Sequence, residues 1–253
     1  MQLLRRIYSL WAILSIAIFF FLFIIPLILC IPFRKAHFIA LRLNHLWAWG
    51  FFKLSFLPVR VKWKFRPEPK QQYILCANHF SYLDIPAMGL FPKPFKFVGK
   101  SQLRKIPLFG LMYNKLHITV NRSSYRSRGE SLLKARTALN DGFNLGFFPE
   151  GGIRLKEFPH MVNFQDGAFR LAAEYKVPIV PVTFCDNYSI LPDDRIFLIK
   201  RVPCRVVYHQ PILAKGDSDE EIRKLKADVH RVIQEELNSH HGQEIVSTEV
   251  QLN

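Results

Sequence analysis

Asn78-His79-Phe80-Ser81-Tyr82-Leu83-Asp84 follows the apolar run Tyr73-Ile74-Leu75-Cys76-Ala77. A histidine and an aspartate in this order carry the parts of a general base. The carboxylate holds one ring nitrogen and supports the imidazolium, while the other nitrogen takes a proton from a hydroxyl. Such a pair makes a nucleophile of an alcohol without a covalent enzyme intermediate. On one regular helix the two side chains would stand about 140° apart. A turn between them is therefore required. Without it, His79 is a residue on the approach to a helix and Asp84 an acid that complements the helix dipole.

Phe148-Pro149-Glu150-Gly151-Gly152 also leaves an apolar run, Leu145-Gly146-Phe147-Phe148. Pro-acid-Gly-Gly at a strand end reads as a loop at the sheet edge, where α/β proteins place their sites. Glu150 could accept hydrogen bonds from substrate hydroxyls, and Gly151 and Gly152 allow close backbone approach. The plainer reading is a strand-to-helix turn with a capping carboxylate. Residues 93–136 hold eleven Lys or Arg and one acid, Glu130. Arg122, after His117-Ile118-Thr119-Val120, can grip a phosphate with two donors. Lys100 and Lys105 could add point charges, and most of the other cations read as a solvated face. Asn78 joins these as a substrate-side candidate. Val177-Pro178-Ile179-Val180-Pro181-Val182 reads as a strand flanked by prolines. It has no nucleophile or base and is expected to line a groove.

These residues need a scaffold. From about residue 58, short apolar runs alternate with helical stretches. Strands are expected at 59–65, 72–77, 95–98, 117–121, 144–148, 178–184 and 204–209. Helices are expected at 83–91, 126–141, 166–176 and 218–238. Alternation of this kind predicts an α/β fold with a mixed, largely parallel sheet flanked by helices. The boundaries expected are an anchor over 1–57, a catalytic domain over 58–240 and a flexible tail over 241–253, with His240 and His241 solvated.

The chain has 253 residues, a formal net charge of +15 and 49% hydrophobic residues. Ten of the cations precede the first acid, Glu68. The same region holds residues 7–33, an uncharged apolar stretch long enough to cross a bilayer as a helix. Arg5 and Arg6 precede it, and Arg34, Lys35 and Arg42 follow it. The heavier following flank puts the rest of the chain on the cytoplasmic face of the cell membrane. Pro26 and Pro32 could bend the segment into a re-entrant or monotopic anchor. Residues 36–57, with Trp47, Trp49 and several Phe, read as an interfacial helix; a second spanning helix is the alternative.

Other chemistries lack their signatures. Cys30, Cys76, Cys185 and Cys204 form no C-x-x-C pair, and no His/Cys ligand set is present, so no metal is expected. There is no G-x-S-x-G elbow, no P-loop and no G-x-G-x-x-G. A pI of 9.9 raises nucleic-acid binding, but no recognition motif accompanies the charge and none is expected.

Taken in order, the motifs resemble those of the glycerolipid acyltransferases, specifically the 1-acylglycerol-3-phosphate (lysophosphatidate) acyltransferase group. They are N-H-x-x-x-x-D at Asn78–Asp84, K-x-x-L-x-x-I-P-x-x-G at Lys100–Gly110 leading to Arg122, F-P-E-G at Phe148–Gly151, and V-P-I-V-P-V at Val177–Val182 after D-G-A-F at Asp166–Phe169. The resemblance covers roughly residues 58–210. It implies His79 as general base and Asp84 as its orienter. It implies that Arg122 and Glu150-Gly151 bind a glycerol-phosphate acceptor. It further implies an acyl carrier protein or coenzyme A thioester as co-substrate, with no other cofactor. Anionic membrane lipids are the expected surroundings. Where the family continues T-R-S after F-P-E-G, this chain has Gly152-Ile153-Arg154, which leaves room for another lysolipid or amino-lipid acceptor. A glycine often found before the second-motif arginine is Leu116 here. A reading from another class, a non-catalytic tether to anionic membranes, uses the same cations.

Overall fold

The computed structural model describes residues 2–100, 108–121, 124–154, 157–194 and 196–249. Two helices lead, α1 (Gln2–Cys30) and α2 (His37–Leu54). Seven strands follow: β1 (Val59–Trp63), β2 (Ile74–Ala77), β3 (Phe95–Lys100), β4 (Ile118–Val120), β5 (Asn144–Phe147), β6 (Ile179–Phe184) and β7 (Cys204–Tyr208). Between and after them lie α3 (Asp84–Met88), α4 (Phe109–Leu116), α5 (Tyr125–Asn140), α6 (Gly167–Tyr175), α7 (Asn187–Ile190) and α8 (Asp219–Glu249).

The strands form one sheet in the order β1-β7-β6-β2-β5-β3-β4. Of these neighbours only β6 and β7 pair antiparallel, so the sheet is mixed and largely parallel, as the alternation predicts. β2 and β6 are buried throughout, because apolar layers cover both faces at the centre of the sheet. This corrects the expectation for Val177–Val182: the run enters a core strand and lines no groove. Pro181 keeps its acceptor in that position, taking the His209 N–H at 3.0 Å.

One face is covered by α1, α2 and α3 through Ala12, Ala48, Phe51, Phe52, Ala87 and Met88. On the other face α8 lays a stripe of Ile222, Leu225, Val229, Ile233 and Leu237, spaced three or four apart. Each fully buried side chain of this size contributes about 1.5–3 kcal/mol before entropy is counted. α8 continues to Glu249, past the start of the tail expected from 241. His240 and His241 are not solvated. His240 Nε2 lies 3.1 Å from Asp186 Oδ1, and His241 Nε2 lies 2.8 Å from the Cys185 carbonyl. The polar end of an amphipathic helix has found polar partners at the rim of the sheet.

α1 begins earlier than the apolar run, taking in Arg5 and Arg6, and ends at Cys30 before Pro32. It is the one helix among the described residues long and apolar enough to cross a membrane. Its contacts run along much of its length. Arg5 donates to the Leu198 carbonyl at 2.7 Å, and Ser9 Oγ accepts from Ile199 N at 2.8 Å. Trp11 donates to Leu54 O at 2.9 Å, and Phe20 meets Phe109. Gly50 of α2 sits against the Phe19 ring, where a Cβ would come within 2.2 Å.

Candidate active site

The strand end at Ala77 delivers Asn78 and His79 into a tight loop that closes when Asp84 N donates to Ser81 O at 3.2 Å. This is the turn the spacing requires. Asp84 opens α3 and is completely buried. Its Oδ2 accepts from Phe80 N and Ser81 N, each at 2.8 Å, and meets His79 Nδ1 at 2.9 Å. Its Oδ1 accepts from Asn187 Nδ2 at 2.8 Å. A carboxylate partner makes His79 Nδ1 the protonated nitrogen and leaves Nε2 as the basic one. The imidazole stacks on Phe148, with ring centroids 4.0 Å apart and planes 16° apart, and keeps 12% of its side chain exposed. The loop thus presents one basic nitrogen in a fixed orientation, ready to take a proton from a hydroxyl placed against it.

Glu150 comes from the loop after β5 and points inward, only 1% exposed. Its Oε1 accepts from His79 N at 2.7 Å and its Oε2 from Val162 N at 3.2 Å. Burial pushes its carboxyl up to about 7, opposed by the His79 and Val162 N–H donors and reinforced by the Asp84 charge. Glu150 therefore grips the backbone of the histidine loop with one oxygen and that of Val162 with the other. Asn78 is likewise turned inward. Its amide donates to Phe184 O at 3.1 Å and accepts from Phe184 N at 2.9 Å, tying the histidine loop to the end of β6. Both side chains hold the histidine loop through backbone groups.

Gly151 and Gly152 have φ of +90° and +147°, which explains why glycine follows the glutamate. Arg154 is exposed just beyond them. Lys100 closes β3; its side chain, Lys105 and Arg122 lie outside the described residues.

Several residues of the site carry no sequence signal of their own. Ser81 Oγ donates to Leu191 O at 2.6 Å. Asn187 lies 103 positions from Asp84 and reaches it only through the sheet topology. Beside the site an apolar cavity is walled by Phe20 and Leu27 of α1, Trp47 of α2, Met112 of α4, and Phe97 and His117. Phe97 stacks on Phe148, the ring under His79, so two aromatic rings separate the cavity from the imidazole. His117 accepts from Phe97 N at 3.2 Å through Nδ1. Burial, helped by the Lys96 charge, depresses it to about 3, so it is neutral.

The α/β domain that ends its central strand in a buried carboxylate–imidazole pair matches one family from β1 to the end of β6. The acyltransferase family model matches residues 58–185, and the chain belongs to that family. It is 30% identical over 182 residues to a 1-acyl-sn-glycerol-3-phosphate acyltransferase of Chlamydomonas reinhardtii, covering 70% of this chain and 53% of that protein. It is 30% identical over 188 residues to a chloroplastic 1-acyl-sn-glycerol-3-phosphate acyltransferase of Arabidopsis thaliana, covering 72% and 50%. The chain spans about half the length of these curated relatives. In fold it is similar to the crystal structure of the 1-acyl-sn-glycerophosphate acyltransferase of Thermotoga maritima. The TM-score is 0.72 at 24% identity, covering 91% of this chain and 97% of that one.

Proposed function

We propose that this protein is a membrane-bound acyltransferase. It moves a fatty acyl group from an acyl thioester, of acyl carrier protein or coenzyme A, to the free hydroxyl of 1-acylglycerol-3-phosphate, giving phosphatidic acid. The observation that carries the reading is the His79 Nδ1–Asp84 Oδ2 contact of 2.9 Å, with Asp84 held by three further donors. His79 Nε2 takes the hydroxyl proton as the oxygen attacks the thioester carbonyl. The tetrahedral intermediate then expels the thiolate, which leaves as the thiol with the proton carried by the imidazolium. No side chain is acylated. Holding hydroxyl and thioester together supplies much of the remaining acceleration.

The acceptor's phosphate is assigned to Arg122, Lys100 and Lys105, on the family resemblance of their motif. The apolar cavity next to the Phe148–Phe97 pair suits a hydrocarbon chain. The anchor suits the same substrate. Leu3, Ile7, Leu10, Leu14, Phe21, Ile25 and Leu29 of α1 are exposed on its outer side, while Arg5, Ser9 and Phe20 hold the helix to the catalytic domain. A helix tied down near its start and again at Phe20 supports a monotopic anchor, with the apolar stripe in the leaflet. The cations after it favour the cytoplasmic face. A second reading, another lysolipid acceptor, is favoured by exposed Arg154 in place of the family's earlier arginine. An acceptor panel with purified protein and one acyl thioester decides between them. Lysophosphatidate is expected to be acylated fastest; equal or faster transfer to a lysolipid without a terminal phosphate would overturn the assignment.

A further inference from the structure

Behind Asp84 stands a hydrogen-bonded chain that reaches across three strands. Asn187, the first residue of α7, is 1% exposed. Its Nδ2 donates to Asp84 Oδ1 at 2.8 Å, the carboxylate oxygen that faces away from His79. Its Oδ1 accepts from the thiol of Cys204, the first residue of β7, at 3.0 Å. Cys204 is completely buried. An ionised carboxylate can only accept, so the Asp84 contact turns the Asn187 N–H₂ toward it, and the Cys204 thiol donates to the amide oxygen on the other side. The amide dipole is therefore set with its N–H toward the carboxylate.

We propose that Asn187 is a positioning residue for the acyl transfer, holding the Asp84 carboxylate in register with His79 and dividing its charge, and that Cys204 orients the Asn187 amide. The inference rests on the reading of His79 as general base. Its physical content is a division of labour between the two oxygens of Asp84. Oδ2 serves the imidazole and two loop N–H groups, and Oδ1 is tied to Asn187. A donor on Oδ1 draws negative charge from Oδ2 and so moderates the pull on the imidazolium. It also keeps the carboxylate from rotating about its Cβ–Cγ bond, which would break three contacts at once.

Cys204 stays a protonated donor, because burial raises its thiol well above the usual range and the Asp186 and Asp84 charges add to that. The other titratable groups facing the pair are Glu150 behind the histidine backbone, Cys185, and the Asp186 carboxylate with its Arg205 and His240 partners. Asp186 is joined to Arg205 N at 3.0 Å and to His240, so its charge is engaged one residue away from Asn187.

The test compares Asn187→Leu, Cys204→Ala and Cys204→Ser with wild type in the full chain, using an acyl thioester and lysophosphatidate. Asn187→Leu is expected to lower kcat roughly 10-fold or more, with KM changed less than threefold, about 1.4 kcal/mol in the barrier. Turnover needs neutral His79. Removing the Asn187 donor leaves more charge on Oδ2 and stabilises the imidazolium. The acid limb of kcat/KM should then move to higher pH by roughly half a unit. Cys204→Ser retains a donor and should keep several-fold more activity than Cys204→Ala, a comparison that stands even if Asn187→Leu fails to fold. A folded Asn187→Leu protein with wild-type kcat and an unmoved acid limb would overturn the proposal, as would equal activity of the two Cys204 variants. Loss of activity that tracks melting temperature, with the pH profile in place, would also overturn it. His79→Ala with full turnover would instead sink the reading beneath it, so the two failures are distinguishable.

Discussion

Replacing Glu150 with glutamine should change how stability depends on pH, and the size of the effect follows from the site. Glu150 is 1% exposed and accepts two backbone N–H groups, from His79 and Val162. Burial raises its carboxyl from 4.5 to about 7. Below pH 4.5 the group is protonated in both folded and unfolded chains. Between 4.5 and about 7 the unfolded chain releases the proton first, so the folded state loses stability as pH rises through this window. That interval corresponds to on the order of 3 kcal/mol, fully lost above the folded value. The amide of the Glu150→Gln variant cannot ionise, can still accept from His79 N, and meets Val162 N–H less well. The variant should therefore show none of this loss. All other titrating groups are common to both proteins and cancel in the difference. Thermal unfolding in detergent at pH 4.5, 6 and 8 measures it. Relative to Glu150→Gln, the wild-type midpoint should fall by roughly 6–12 °C across the series. A difference that stays flat with pH, or that moves in favour of wild type as pH rises, would refute the account of a buried, desolvated carboxylate.

Two further substitutions probe the assigned roles. Asp84→Asn removes the charge that supports the imidazolium and sets an amide N–H₂ against either the N–H groups of Phe80 and Ser81, where it also reverses the favoured His79 tautomer, or the N–H₂ of Asn187. Turnover should fall on the order of 10³-fold while the folded protein still binds membranes; a loss below tenfold would remove Asp84 from the orienting role. Arg122→Ala should raise KM for lysophosphatidate roughly 10-fold or more, the worth of a charged hydrogen bond to phosphate. An unchanged KM with lowered kcat would show that Arg122 does not bind the ground-state phosphate.

Much of this molecule is legible in residue order, and the exceptions have physical causes. The seven strands lie within two residues of their expected bounds, because Pro, Gly and Asn bracket many of the apolar runs. Helix α4, Phe-Gly-Leu-Met-Tyr-Asn-Lys-Leu, escapes a reading by period because it is one short, mostly apolar turn pair with a glycine in it. The strand order is not local information: β7 inserts between β1 and β6 although about 140 residues separate it from β1. At the site, His79 and Asp84 are close in sequence and so can be found by spacing. Asn187 meets Asp84, and Cys204 meets Asn187, only through that topology, so neither can be found that way. Glu150 and Asn78 are legible as site residues but not in direction, since nothing in a single sequence says whether a side chain after a strand turns inward. His240 and His241 look like solvated tail residues until the sheet rim places Asp186 and the Cys185 carbonyl beside them.

Acyl transfer by His79→Ala, followed in a single turnover with an acyl thioester and lysophosphatidate in mixed micelles, tests the base assignment most directly. Loss of the proton acceptor should slow transfer by about 10²–10⁴-fold, with membrane association and fold retained. Transfer within a few-fold of wild type by the folded variant would contradict it.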